Sequence, residues 1–139
     1  SMLNYKPHVE NNSCYNTCPV SAIFVVHEVL TWLADMGGIA EMEKINNAKA
    51  KLIYDILDSS SFYKAPVDKG SRSKMNIPFK LPSEELDNEF VAAASKKGLI
   101  GLKGHRAVGG IRASMYNALP MEGVRILADF MKEFEKSKS

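Results

Sequence analysis

The stretch Met75-Asn76-Ile77-Pro78-Phe79-Lys80-Leu81-Pro82-Ser83-Glu84-Glu85-Leu86 holds two kinds of structure in immediate succession. Met75, Ile77, Phe79 and Leu81 alternate with Asn76, Pro78 and Lys80, which is the period of a strand with one face covered. Pro78 lacks an N–H, so this strand is expected at an edge or a bulge. At Pro82-Ser83 the pattern changes. Ser83 suits a helix N-cap, and Glu84 and Glu85 suit the positive end of the helix dipole. Leu86, Phe90 and Ala94 then follow at helical spacing, and Gly98 stops the helix.

Downstream, residues 99–103 read as a short strand, 104–110 as a glycine-rich loop and 110–116 as another strand. Pro120 opens a last helix with Val124, Leu127, Met131 and Phe134 inward. Upstream, 68–73 is a polar loop and Phe62-Tyr63 starts a short strand. The spacing predicts a helix over 39–58 with Met42, Ile45, Leu52, Ile53 and Ile56 inward. Asn46, Asn47, Lys49 and Lys51 fall mostly on its other face. Residues 19–36 form an apolar pattern with Pro19 in the first turn and Gly37-Gly38 as the stop, read as a buried helix. Residues 1–18 read as an extended, irregular lead-in. Short strands joined through helices and tight loops predict an α+β fold of two layers. A small, mostly antiparallel sheet has helices against one face.

Length and composition agree with one domain plus a short extension: 139 residues, 45% apolar and 24% charged. They exclude a disordered tail, a collagen-like repeat and a disulfide-rich miniprotein. The apolar helix is too short to span a bilayer, and no membrane partner is expected. Cys14 and Cys18, without a visible secretory signal, suggest free thiols in a reducing, cytoplasmic setting. The order His8, Cys14, Cys18, His27 matches no compact zinc pattern, so no metal site is expected. The net charge is +2, yet residues 90–121 contain no acid and carry +5, leaving −3 for the rest.

That cationic window contains the stretch 103–117, in which His105, Arg106 and Arg112 flank Gly109-Gly110. Glycines let backbone approach a ligand closely, and the arginine fork matches a carboxylate or phosphate. On local chemistry alone the stretch reads equally as a site for a doubly anionic small molecule or as solvated charge around a tight turn. The aromatics do not interleave with the cations as a stacking platform, so nucleic acid is not the expected partner. No Walker loop or Gly-x-Ser-x-Gly elbow is present. Lys103 reads as a strand-end surface lysine rather than a catalytic one.

Gly104-His105-Arg106-Ala107-Val108-Gly109-Gly110-Ile111-Arg112-Ala113-Ser114-Met115-Tyr116-Asn117-Ala118 closely resembles the signature of phosphoserine aminotransferases. These are class V, pyridoxal-phosphate-dependent enzymes of fold type I. Three further stretches agree in order: Asn11-Asn12-Ser13-Cys14-Tyr15-Asn16-Thr17, Arg72-Ser73-Lys74-Met75-Asn76-Ile77-Pro78-Phe79, and Pro120-Met121-Glu122-Gly123-Val124. The resemblance covers the chain after Ser1-Met2, which looks like a tag remnant. It implies that 1–18 ends with a large-domain loop and that 19–139 is the C-terminal small domain of a longer enzyme. The Schiff-base lysine of the family lies in the large domain, so no catalytic residue is expected in this chain and no activity from it alone.

The parent activity implied is amino transfer between L-glutamate and 3-phosphohydroxypyruvate, giving O-phospho-L-serine and 2-oxoglutarate. It belongs to serine biosynthesis and, in many bacteria, also to pyridoxine biosynthesis. By the resemblance, Arg112 binds the substrate α-carboxylate. His105 and Arg106 hold the substrate phosphate or the distal carboxylate of glutamate. Asn16 and Thr17 contact the phosphate of pyridoxal 5'-phosphate from the neighbouring subunit of a homodimer. His105 can serve as a neutral donor or as a cation, and the sequence leaves both open. Two positions depart from the family. Cys18-Pro19 replaces the usual Pro-Pro, which loosens the loop, and Ala107 replaces a common Ser, which removes a hydrogen bond. The alternative expectation is a stand-alone, non-catalytic anion-binding or dimerisation domain derived from this fold. An organellar setting follows only if a transit peptide precedes the segment.

Overall fold

A computed structural model describes residues 3–138; Ser1-Met2, read above as a tag remnant, lies outside them. The elements are α1 (Lys6–Glu10), α2 (Val20–Asp35), α3 (Gly38–Ser59), β1 (Asn76–Phe79), α4 (Glu84–Lys96), β2 (Ile111–Ser114) and α5 (Met121–Lys138). The chain divides into two units, Ser1–Ile39 and Ala40–Ser139.

The second unit is the expected α+β arrangement. β1 and β2 pair antiparallel, with Asn76 opposite Ser114, Ile77 opposite Ala113, Pro78 opposite Arg112 and Phe79 opposite Ile111. Ile77, Phe79, Ile111 and Ala113 are buried on one face, whereas Arg112 is exposed on the other. The alternation read from the sequence therefore sets which side of the sheet meets the helices. Phe90 of α4 lies at the centre of the core. Its ring stands 4.9 Å from Phe130, 5.1 Å from Phe134, 5.8 Å from Phe79 and 6.1 Å from Tyr63. Such edge-on and tilted pairs add to the burial of large apolar area. α5 buries Val124, Leu127, Met131 and Phe134, as its spacing predicts. Ser83 caps α4 by accepting a hydrogen bond from Leu86 N. Gly98, with φ +82°, ends it, and Leu99 N donates back to Ala94 O.

Several expectations are corrected. Residues 99–103 do not form a strand. Only Lys103 bridges Ile111, because Gly101 turns at φ +76° and a tight loop opens at Gly104. Phe62-Tyr63 is likewise not a strand; the pairing falls one residue later, at the isolated bridge of Lys64 to Lys80. The lead-in contains the short helix α1, with Pro7 in its first turn. On α3, Asn46 and Lys49 are not on the outer face. Both are buried, in line with Met42, Ala50 and Ile53. Polarity suggested a solvent face, but a buried stripe accepts polar groups that find partners.

In the first unit, α2 was expected to be buried, yet none of its residues is buried. Ile23, Phe24, Val25 and Val26 run consecutively round the helix, so its apolar surface is not confined to one stripe. The first unit offers only the short α1 and loops, too little apolar material to cover it. Cys14 and Cys18 in this unit are free and exposed. No single helix among the described residues is long and apolar enough to cross a membrane.

Candidate functional site

The stretch 102–112 folds as a loop on a narrow stem. Arg112 N donates to Leu102 O at 2.8 Å, and Gly104 N donates to Gly110 O at 2.8 Å. Inside that closure, Val108 N and Gly109 N both donate to His105 O, at 2.9 and 2.8 Å. The glycines are required by this path. A Cβ on Gly104 would overlap the carbonyl oxygens of Gly109 and Gly110. Gly109 and Gly110 both adopt φ +71°, a region that L side chains avoid.

His105 and Arg106 are exposed on this loop. His105 Nδ1 accepts a hydrogen bond from Ala107 N at 3.2 Å. With Nδ1 engaged in that contact, Nε2 is the ring nitrogen left to meet a ligand. The loop faces the N-terminal part of α4 across a cleft of about 790 Å³. Lys80, Lys103, His105 and Arg106 supply its basic groups, and Glu84 and Asp87 its acids. Asp87 is committed elsewhere, since its Oδ1 accepts from Leu81 N at 2.9 Å.

Arg112 does not line that cleft. It stands at the base of the loop, on the exposed face of β2, opposite Pro78. Its neighbours on that face are polar. Ser114 Oγ donates to Asn76 Oδ1 at 2.9 Å, and Asn76 Nδ2 is 3.4 Å from the Tyr116 hydroxyl. Among the described residues no ion pair engages Lys103, His105, Arg106 or Arg112. The site therefore consists of the cations Lys103, Arg106 and Arg112, with the His105 imidazole beside them, on one loop and its stem, free to meet an external anion. Lys80 is the participant that sequence reasoning missed. It lies 30 residues from Gly110 in number, and its side chain runs beside that glycine.

Asn16 and Thr17 belong to the first unit, where both are exposed. Neither side chain forms a hydrogen bond with another described residue, so an amide and a hydroxyl stand available to an anionic group. Among the described residues no group of three or more His, Cys, Asp or Glu is arranged to hold a metal ion.

The sequence matches the family Aminotransferase class-V over residues 1–127, and the chain belongs to that family. The phosphoserine aminotransferase of Nitrosomonas europaea is 53% identical over 137 residues, which cover 99% of this chain and 37% of that protein. The phosphoserine aminotransferase from Bacillus circulans subsp. alkalophilus superposes with a TM-score of 0.92 at 51% identity, covering 99% of this chain and 38% of that one. The pyridoxal-phosphate-bound phosphoserine aminotransferase of Trichomonas vaginalis superposes with a TM-score of 0.83 at 40% identity, covering 92% of this chain and 37% of that one. The chain thus spans less than two fifths of the length of these relatives.

Proposed function

We propose that this chain is the substrate-gripping part of a phosphoserine aminotransferase, which exchanges an amino group between L-glutamate and 3-phosphohydroxypyruvate in serine biosynthesis. The observation that carries the reading is the set of unpaired cations on the 104–110 loop and its stem, in a chain of this family. A substrate with an anion at each end needs a cation at each end. Arg112 takes the α-carboxylate through two parallel hydrogen bonds. His105, through Nε2, and Arg106 take the phosphate, or the distal carboxylate of glutamate. Held at both ends, the substrate has its α-carbon fixed in place, which supplies the orientational part of catalysis.

The uncommitted side chains of Asn16 and Thr17 fit the phosphate of pyridoxal 5'-phosphate as neutral donors. In a homodimer they would serve the neighbouring subunit. The cofactor supplies electron withdrawal at the substrate α-carbon, and the protein supplies binding and orientation. The lysine that would carry the cofactor matches no position here, so the 139 residues alone are expected to be inactive. A cytoplasmic homodimer is the setting proposed for the whole enzyme.

Titration with phosphoserine, followed by amide NMR, tests the site. Signals of His105, Arg106 and Arg112 should move together, whereas inorganic phosphate should move those of His105 and Arg106 and spare Arg112. Arg112→Lys loses the planar fork and should weaken phosphoserine binding about tenfold. Absence of any shift at saturating ligand, or an Arg112→Lys variant that binds as well as the original, would overturn the assignment. Phosphoserine formation by the 139-residue chain given cofactor, glutamate and 3-phosphohydroxypyruvate would overturn the claim that it is inactive alone.

A further inference from the structure

Lys49 is completely excluded from solvent. No carboxylate pairs with it among the described residues. Its Nζ donates instead to main-chain carbonyls, at 3.0 Å to Tyr116 O and 3.1 Å to Leu119 O, with Asn117 O at 3.5 Å. One helical turn earlier on α3, Asn46 Nδ2 donates to Asn117 Oδ1 at 2.8 Å. Two polar side chains of one buried helix stripe thus reach the same short turn.

That turn has little else to hold it. Its own backbone contributes one hydrogen bond, from Leu119 N to Tyr116 O at 3.0 Å. The oxygens of Tyr116, Asn117 and Leu119 converge on Lys49 Nζ, and of the three only Tyr116 O has a backbone donor as well, Leu119 N. Converging carbonyl dipoles are the environment of a bound monovalent cation, and here the cation is a side-chain ammonium. An ammonium taken out of water is unfavourable unless its donors are satisfied. The three carbonyls satisfy it, and the ammonium in turn fixes the direction of three carbonyls.

The position of this turn links it to the candidate site. It follows β2 directly, and the last hydrogen bond of the sheet, Met115 N to Met75 O at 2.6 Å, precedes it by one residue. Arg112 and Ser114 lie on one side of β2, Tyr116 continues that alternation two residues beyond it, and Asn76 bonds to both Ser114 and Tyr116. We propose that Lys49 is a positioning residue for the anion site: its buried ammonium locks the 116–119 turn, and through the end of β2 it fixes the face from which Arg112 presents its guanidinium. The functional half of this statement rests on the role given to Arg112 above; the structural half does not.

Lys49→Met and Lys49→Ala, made in the 139-residue chain and followed by amide NMR and hydrogen exchange, test it. In Lys49→Met the amides of 115–119 should shift and exchange about tenfold faster. The phosphoserine affinity read at Arg112 should fall about threefold, while the response of His105 and Arg106 to inorganic phosphate stays unchanged. Lys49→Ala leaves a channel the length of a propyl group. Propylammonium should restore the 115–119 amides, or restore folding if the variant is unfolded, and propanol should not.

The proposal is overturned if Lys49→Met leaves the 115–119 amides as they were. It is also overturned if propanol rescues Lys49→Ala as well as propylammonium, or if neither does. A wild-type chain in which phosphoserine moves nothing at Arg112 removes the substrate reading and with it the functional half. The turn amides and the rescue still decide the structural half.

Discussion

Gly104 has no room for a side chain, because the loop it opens folds back on itself within seven residues. A methyl group there would overlap the carbonyl oxygens of Gly109 and Gly110, and the Gly104 N to Gly110 O hydrogen bond could not keep its 2.8 Å length. Gly104→Ala is therefore expected to lower stability by about 1–3 kcal/mol, the range for forcing atoms into a packed space. It should also abolish the phosphate response of His105 and Arg106 while the helical content stays constant. Calorimetry and the same NMR titration measure both; a variant with unchanged melting and unchanged response would show that the loop tolerates opening. At this scale the sequence was informative wherever charge and glycine coincide. His105, Arg106 and Arg112 stand out as candidates because no acid lies near them in the chain. Lys49 was not legible, since a lysine among Asn46, Asn47 and Lys51 looks like a solvated face. Only the position of the 116–119 carbonyls, about 70 residues away, makes burial possible. Its spacing from Met42, Asn46 and Ile53 was the one signal available.

α3 also organises the entry to β1, through a cluster at its C-terminal end. Arg72 donates to both oxygens of Asp58, at 2.9 and 2.6 Å, and Lys69 Nζ lies 3.2 Å from the same carboxylate. The Arg72 guanidinium lies 4.4 Å over the Tyr54 ring, whose hydroxyl donates to Ser73 O at 2.9 Å. Ser73 Oγ then accepts from Met75 N and Asn76 N, where the strand starts. Hydrogen bonding from Arg72, with Lys69 beside it, holds the Asp58 carboxyl well below its ordinary 3.8. A carboxyl depressed in the folded state stabilises above its unfolded pKa and loses that contribution as pH falls through the folded one. Wild type should thus be more stable than Asp58→Asn above about pH 5, and the difference should close as pH falls below the ordinary carboxylate range. Denaturant melts across that range measure it, and a difference that stays constant with pH would show that the ion pair contributes nothing. The helices were legible as elements because apolar periodicity holds for α3, α4 and α5, with the Ser83 cap added for α4. The short strands were legible only where a facing partner exists. Residues 99–103 alternate poorly and have Ile111 alone as a bridge partner, through Lys103.

The whole molecule is uneven in a way that composition conceals. Every buried apolar residue of the described chain, from Met42 to Phe134, lies in the second unit. The first unit holds an apolar helix with nothing buried: Ile23, Phe24, Val25, Val26, Val29 and Leu30 each keep more than half of their surface exposed. Contiguous apolar surface of this kind drives association in water. The two units should therefore separate experimentally. A chain of residues 38–139 keeps α3 whole, the entire core, the loop with His105 and Arg106, Arg112, and the Lys49 turn. It should unfold cooperatively with a melting temperature within about 3 °C of the longer chain, since no core contact is removed. It should keep the phosphoserine response at Arg106 and Arg112, because the anion site is built from the second unit alone. It should also remain monomeric at concentrations where the 139-residue chain self-associates through α2, a difference that sedimentation resolves directly. A shorter chain that melts broadly, or that loses the response at Arg112, would show that residues before Gly38 support the core or complete the site. A monomeric 139-residue chain would show that α2 is covered in solution by some part of its own molecule.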